Sequence, residues 1–140
     1  MNSRHRRVRL LGLLLAACGE AAIGATAPAD QAALRHGEEV YGRCLACHAI
    51  EANRTGPQHC GLFDRKAGTA PGFDGYSPAM RASGIVWDAK TLDRFLANPL
   101  AVVPKTYMTY AGVTEAGDRA ALIAWLAQAT RPGKACHLAD

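Results

Sequence analysis

Cys44, Cys47 and His48 carry the most specific chemistry in this chain. Cysteines three apart on one helical turn face the same way, so both sulfurs can reach neighbouring vinyl groups of one porphyrin and form thioethers with them. His48 follows about 100° further round the turn, which swings a neutral imidazole nitrogen beneath such a ring, where it can bind iron. Cys44-Leu45-Ala46-Cys47-His48 therefore reads as an attachment signature for one covalent haem c. Two other chemistries compete for the same residues. A dithiol redox site would want a strand ahead of the motif, whereas the flanks here read helical. Zinc could take Cys44, Cys47, His59 and Cys60 as tetrahedral ligands, but would leave His48 and the second half of the chain without a role.

The elements that must position this motif are short helices separated by long loops. Gln31 to Arg43 reads as the first helix, with Gly37 and Tyr41 on one face, where a small residue permits a neighbouring helix to approach closely. Residues 49–69 and 70–84 read as loops, punctuated by Gly56-Pro57, Gly61, Gly68, Pro71-Gly72, Gly75 and Pro78. Asp88 can cap a helix from Ala89 to Asn98, which Pro99 ends, with Leu92, Phe95 and Leu96 as its buried stripe. An irregular stretch over 100–113 precedes a last helix that starts at Thr114 and stops before Pro132-Gly133. That helix has Glu115 and Asp118 in its first turn and Leu122, Ile123, Trp125 and Leu126 on its inner side. No convincing strand appears, so the expected class is all-α. Three or four short helices joined by such loops bury little on their own, and a porphyrin supplies the missing core. Without haem the chain is expected to be poorly folded.

At 140 residues the chain holds one domain, and its first thirty residues differ from the rest. Arg4, His5, Arg6, Arg7 and Arg9 make a basic n-region and Val8 to Ala17 is an apolar run, the pattern of a secretory signal over 1–17. That run is too short to span a bilayer, which takes about twenty residues. Leu15-Ala16-Ala17-Cys18 resembles the lipobox of bacterial lipoproteins, which would make Cys18 the lipidated residue and 18–30 a flexible tether ahead of the domain at 31–140. Ordinary cleavage near residue 24, after small residues such as Ala22 and Gly24, would discard Cys18 instead. Four of the sixteen Lys and Arg lie before Cys18 and none of the twelve Asp and Glu do, so the remainder is balanced. The net charge of +4 therefore gives no argument for a nucleic-acid partner. Export to the bacterial periplasm fits thioether attachment, which takes place outside the cytoplasm.

The ordered series goes well beyond the haem motif. It includes Thr55-Gly56-Pro57, Gly61-Leu62-Phe63-Asp64-Arg65-Lys66, Ala70-Pro71-Gly72-Phe73, Trp87, Asn98-Pro99, Pro104-Lys105-Thr106-Tyr107-Met108 and Leu122-Ile123-Ala124-Trp125-Leu126. Over residues 37–130 the chain resembles a class I cytochrome c of the small mitochondrial and purple-bacterial branch. The resemblance implies a fold of helices and long loops wrapped around one haem, and a monomeric carrier of single electrons between redox proteins. It also implies Met108 as the second axial ligand, through its thioether sulfur. Pro57 would accept the second ring N–H of His48, and Arg65, Tyr76 and Trp87 would hold the haem propionates, which need donors when buried. Gly37, Tyr41 and Trp125 would form the crossing of the first and last helices.

The chain also departs from that family. Phe95 stands where the mitochondrial proteins have a tyrosine bonded to the methionine sulfur, and Met80 replaces a nearby asparagine. The Met108 side is therefore drier, with Thr106 remaining. Met80 is read as packing. Leu100, Ala101 and Tyr107 occupy positions where the mitochondrial proteins have lysines, leaving Arg43, Arg54 and Lys105, so docking should depend weakly on salt. Cys60 and Cys136 are left over, and two spare thiols in an oxidising compartment favour a disulfide that pins the tail across the loop. His36, His59 and His137 are expected at the solvated surface. Two other function classes stay open: a haem catalyst or gas sensor with a labile Met108, and an anchored subunit of a larger oxidase or dehydrogenase complex.

Overall fold

The computed structural model describes residues 27–133 and 136. Its fold is all-α, with five α-helices joined by long loops: α1 (Pro28–Tyr41), α2 (Pro78–Ala82), α3 (Ala89–Ala97), α4 (Pro99–Val102) and α5 (Ala116–Ala129). Among the described residues there is no strand, and Lys66 pairs with Val86 and Gly133 with Cys136 only as isolated bridges.

α1 starts at Pro28, inside the segment expected to be a tether, because proline at the first helical position has no N–H to leave unsatisfied. At its other end a single 3-10 turn, Gly42–Cys44, takes over and delivers the cysteine motif. α1 and α5 form the main helix contact, and Gly37 sits where they cross. A Cβ built on Gly37 would lie 2.7 Å from the Trp125 Cβ and closer still to the Ala121 carbonyl. Only glycine lets the two backbones come this near. One turn on, Tyr41 lays its ring against Trp125, with centroids 4.6 Å apart. The crossing is clasped at its edge by Asp118, whose two carboxylate oxygens lie 2.9 Å from His36 Nε2 and 2.9 Å from an Arg43 guanidinium nitrogen. His36 is exposed at the surface, as expected, and there has a partner on α5.

Two short helices replace what the sequence reads as loop. In α2 the Ser77 hydroxyl accepts from the Met80 N–H at 3.0 Å, with Pro78 at the first position. In α4 the Asn98 side chain accepts from the Ala101 N–H at 3.1 Å, so Pro99 both ends α3 and starts α4. α3 begins in a reciprocal cap: Asp88 Oδ1 accepts from the Thr91 N–H at 2.6 Å, and Thr91 Oγ1 accepts from the Asp88 N–H at 2.8 Å. α5 starts at Ala116, two residues later than expected, and Arg119 ties it to α3 through Asp93 at 2.7 Å.

Leu92, Phe95, Leu96, Leu122 and Leu126 are buried, as their spacing predicts, with Val40 and Leu62. These side chains do not close into a solid core. All of them but Val40 line the walls of a cavity of about 250 Å³.

Candidate functional site

The turn after α1 brings the three motif residues to the cavity. The amides of Cys47 and His48 both donate to the Cys44 carbonyl, at 3.1 and 2.9 Å. Cys44, Cys47 and His48 all line the cavity, and both thiols are free of any disulfide. Burial raises the Cys44 thiol above its ordinary range, so it stays protonated until it reacts. Burial likewise holds His48 below the ordinary imidazole range, partly offset by its bond to Pro57. The ring is thus neutral, and because a carbonyl can only accept, the 2.8 Å bond from Nδ1 to Pro57 O places the proton on Nδ1. Nε2 keeps its lone pair, as a metal ligand must. Gly56 packs directly on the ring: a Cβ there would lie 2.7 Å from Nδ1 and 2.8 Å from Nε2.

Met108 also lines the cavity; it is half-buried and follows a turn in which Lys105 adopts a φ of 68°. The Thr106 hydroxyl accepts from the Met108 N–H at 3.3 Å, and both side chains line the cavity. Met80, from α2, is buried in the same wall, so two thioethers border the space.

The polar wall is built from the loops on either side of α2. Arg65 donates to the carbonyls of Cys60 at 2.6 Å and Gln58 at 3.1 Å, while its buried Nε has no partner among the described residues. Burial lowers its pKa, which marks a charge set among apolar neighbours. An orphaned buried guanidinium N–H wants an anion, and the carboxylates of a haem supply one. Tyr76 Oη accepts from the Ala70 N–H at 3.2 Å, which leaves its own proton to donate, and burial keeps the phenol neutral. Trp87 is buried against Phe95, with ring centroids 5.1 Å apart. Its backbone N–H donates to Arg65 O at 3.0 Å, so the two residues are fixed side by side. The fit is chemical on three counts: two thiols and a lone-pair nitrogen at one end, donors for carboxylates at another, and apolar walls between.

Cys60 and Cys136 lie with their Cα atoms 5.4 Å apart and their sulfurs at bonding distance, both fully buried. Cys18 and His137 lie outside the described residues.

One side chain is placed differently from the sequence expectation. His59 is not a solvated surface residue: it lines the cavity and stacks on His48, with centroids 4.5 Å apart and planes 23° off parallel. Its Nδ1 is hydrogen-bonded to Tyr41 Oη at 3.1 Å. Burial, with smaller contributions from His48 and Arg65, pushes its pKa down to about 3. The available signal was its place two residues after Pro57, in the turn that must reach back to His48.

No protein-family model matches the chain. Individual relatives do. The chain is 45% identical over 94 residues to cytochrome c2 of Rhodomicrobium vannielii, an alignment covering 65% of this chain and 74% of that protein. It is 39% identical over 101 residues to cytochrome c-550 of Bradyrhizobium diazoefficiens, covering 70% of this chain and 74% of that one. Among solved structures, cytochrome cH from Methylobacterium extorquens superposes with a TM-score of 0.65 at 36% identity, over 67% of this chain and 96% of that chain. The chain therefore belongs to the class I cytochromes c, electron carriers with one covalent haem c.

Proposed function

We propose that this cytochrome passes single electrons between redox proteins in the bacterial periplasm, and that Cys44 and Cys47 would hold its haem covalently while His48 and Met108 would bind its iron. The observation that carries the reading is the His48 ring: neutral, bonded through Nδ1 to Pro57 at 2.8 Å, with Nε2 free on the cavity wall beside two free thiols. When bound, the haem supplies a one-electron ferric/ferrous couple.

The chain's own residues make that couple usable. Pro57 fixes the tautomer and orientation of His48, so the ligand nitrogen needs no rearrangement as charge changes. Arg65 Nε, the Tyr76 phenol and the Trp87 indole would hold the propionates. Leu92, Phe95, Leu96, Leu122 and Leu126 exclude water from the iron. Thr106 steadies the loop that carries Met108. With His48 and Met108 both holding the group, the protein would leave no position for peroxide or gas, which is the distinction between carrier and catalyst. Leu100 and Tyr107, both exposed, offer apolar contacts where the mitochondrial proteins have lysines, while Arg43 is already engaged by Asp118. Cys60 and Cys136 form a disulfide that anchors the loop bearing Pro57. Cys18 is the lipid-modified residue of an exported precursor.

The test is an absorption spectrum of the purified holoprotein, oxidised and reduced, before and after carbon monoxide. A low-spin spectrum unmoved by carbon monoxide is expected. Prompt binding would show a labile Met108 and turn the reading toward a haem catalyst or sensor. Met108→Ala should acquire carbon monoxide binding, whereas Met80→Ala should not; the reverse result would reassign the ligand.

A further inference from the structure

The electron-carrier reading leaves the second imidazole of the cavity wall without a task. His59 follows Pro57 by two residues, so the segment that holds one edge of the His48 ring also lays a ring against its face. At 4.5 Å between centroids and 23° between planes, the two imidazoles are in direct stacking contact.

His59 cannot easily turn away. Its backbone N–H points to the carbonyls of Ala49 and Ile50, at 3.1 and 3.0 Å. Its Nδ1 is bonded to Tyr41 Oη, and Tyr41 is itself wedged against Trp125 in the crossing of α1 and α5. A continuous chain of contacts thus runs from the best-packed helix pair to the ring that binds iron. Gly56 bears on the same ring from its own position, with no space for even a methyl group.

We infer that His59 is a positioning residue for the His48 imidazole: held by Tyr41, its stacked ring fixes the rotational setting of His48 and steadies the positive charge that His48 shares when its iron is oxidised. This rests on the reading of His48 as an axial ligand. An aromatic face carries excess negative charge and attracts a ring that has become more positive, which an aliphatic side chain does not. The stack therefore favours the oxidised form. It also opposes rotation of His48 about its Cβ–Cγ bond, which the single bond to Pro57 restrains only at one edge.

The test uses holoprotein of wild type, His59→Leu, His59→Phe and Tyr41→Phe, with redox titration and proton NMR of the ferric form, whose shifted haem-methyl and His48 resonances report the setting of the axial ring. His59→Leu is expected to shift the oxidised-to-reduced ratio at fixed potential at least threefold toward the reduced form, equivalent to about 28 mV for one electron, and to alter the order and spread of the methyl resonances. His59→Phe keeps a π face but not the bond to Tyr41, so its ratio should stay closer to wild type while the methyl pattern changes. Tyr41→Phe keeps the stack and should broaden the His48 resonances. A His59→Leu protein that loses only thermal stability, with ratio and methyl pattern unchanged, would overturn the proposal and leave His59 as packing. Should His59→Leu fail to retain haem, unchanged patterns in both His59→Phe and Tyr41→Phe would overturn it equally. A wild-type spectrum with no shifted His48 ring resonances would instead refute the ligand reading, before any variant is compared.

Discussion

Replacing Cys60 and Cys136 together by alanine tests how the fold holds the loop that reaches back to His48. The two positions are 76 residues apart in sequence, so a bond between them closes most of the domain into one ring. In the chain-entropy treatment, removing a cross-link over a loop of that size returns about 4.5 kcal/mol to the unfolded chain. Both sulfurs are fully buried, and the Gly61 N–H donates to the Thr130 carbonyl at 2.7 Å beside them, so alanine leaves the surrounding backbone bonds in place. The loss should therefore be largely entropic. With a urea m value of about 2 kcal/mol/M, the unfolding midpoint of Cys60→Ala/Cys136→Ala holoprotein should fall by about 2 M. Haem content should match wild type, because Cys44 and Cys47 are untouched. A midpoint within about 0.5 M of wild type at unchanged m would refute the entropic argument, and so would two alkylatable thiols in the denatured wild-type protein under non-reducing conditions.

Further perturbations read other parts of the structure. Gly37→Val pushes a branched side chain against Trp125 and the Ala121 carbonyl, and should cost about 2–3 kcal/mol of stability in urea denaturation with the redox potential little changed. Asp118 has its carboxyl held below the ordinary carboxylate range, first by its hydrogen bond from His36 and then by Arg43. A depressed carboxylate stabilises the fold above its ordinary range and ceases to do so as pH falls below that range, so wild type should melt higher than Asp118→Asn at neutral pH and equal it in strong acid. Electron transfer with a redox partner should change less than tenfold between about 0.05 and 0.5 M salt, as stopped-flow rates would show, since Leu100 and Tyr107 are exposed where the mitochondrial proteins have lysines and Arg43 is paired with Asp118. Cys18→Ala should release the protein from membranes into the soluble periplasm on fractionation; an unchanged distribution would refute lipidation.

The haem motif, the all-α class and the buried stripe of Leu92, Phe95 and Leu96 were legible because each is local. Spacing of three and four residues along one helix fixes which side chains share a face, and no distant segment alters that. The second turn-to-ring bond, His48 to Pro57, was reached through family resemblance rather than spacing. α2 and α4 escaped the reading because each has about one turn, too little for periodicity to register, although Ser77-Pro78 and Asn98-Pro99 carried their caps in plain view. The partners of His36 and His59 escaped for a different reason. Each is partnered from another segment: His36 by Asp118 across the helix crossing, and His59 by Tyr41 from α1 and by the ring of His48. A histidine's neighbours, and hence its charge and task, are set by how segments far apart in sequence pack together. The cysteine motif determines by itself what this protein can bind; only the packing of α1, α5 and the Pro57 loop decides how rigidly the His48 ring is held.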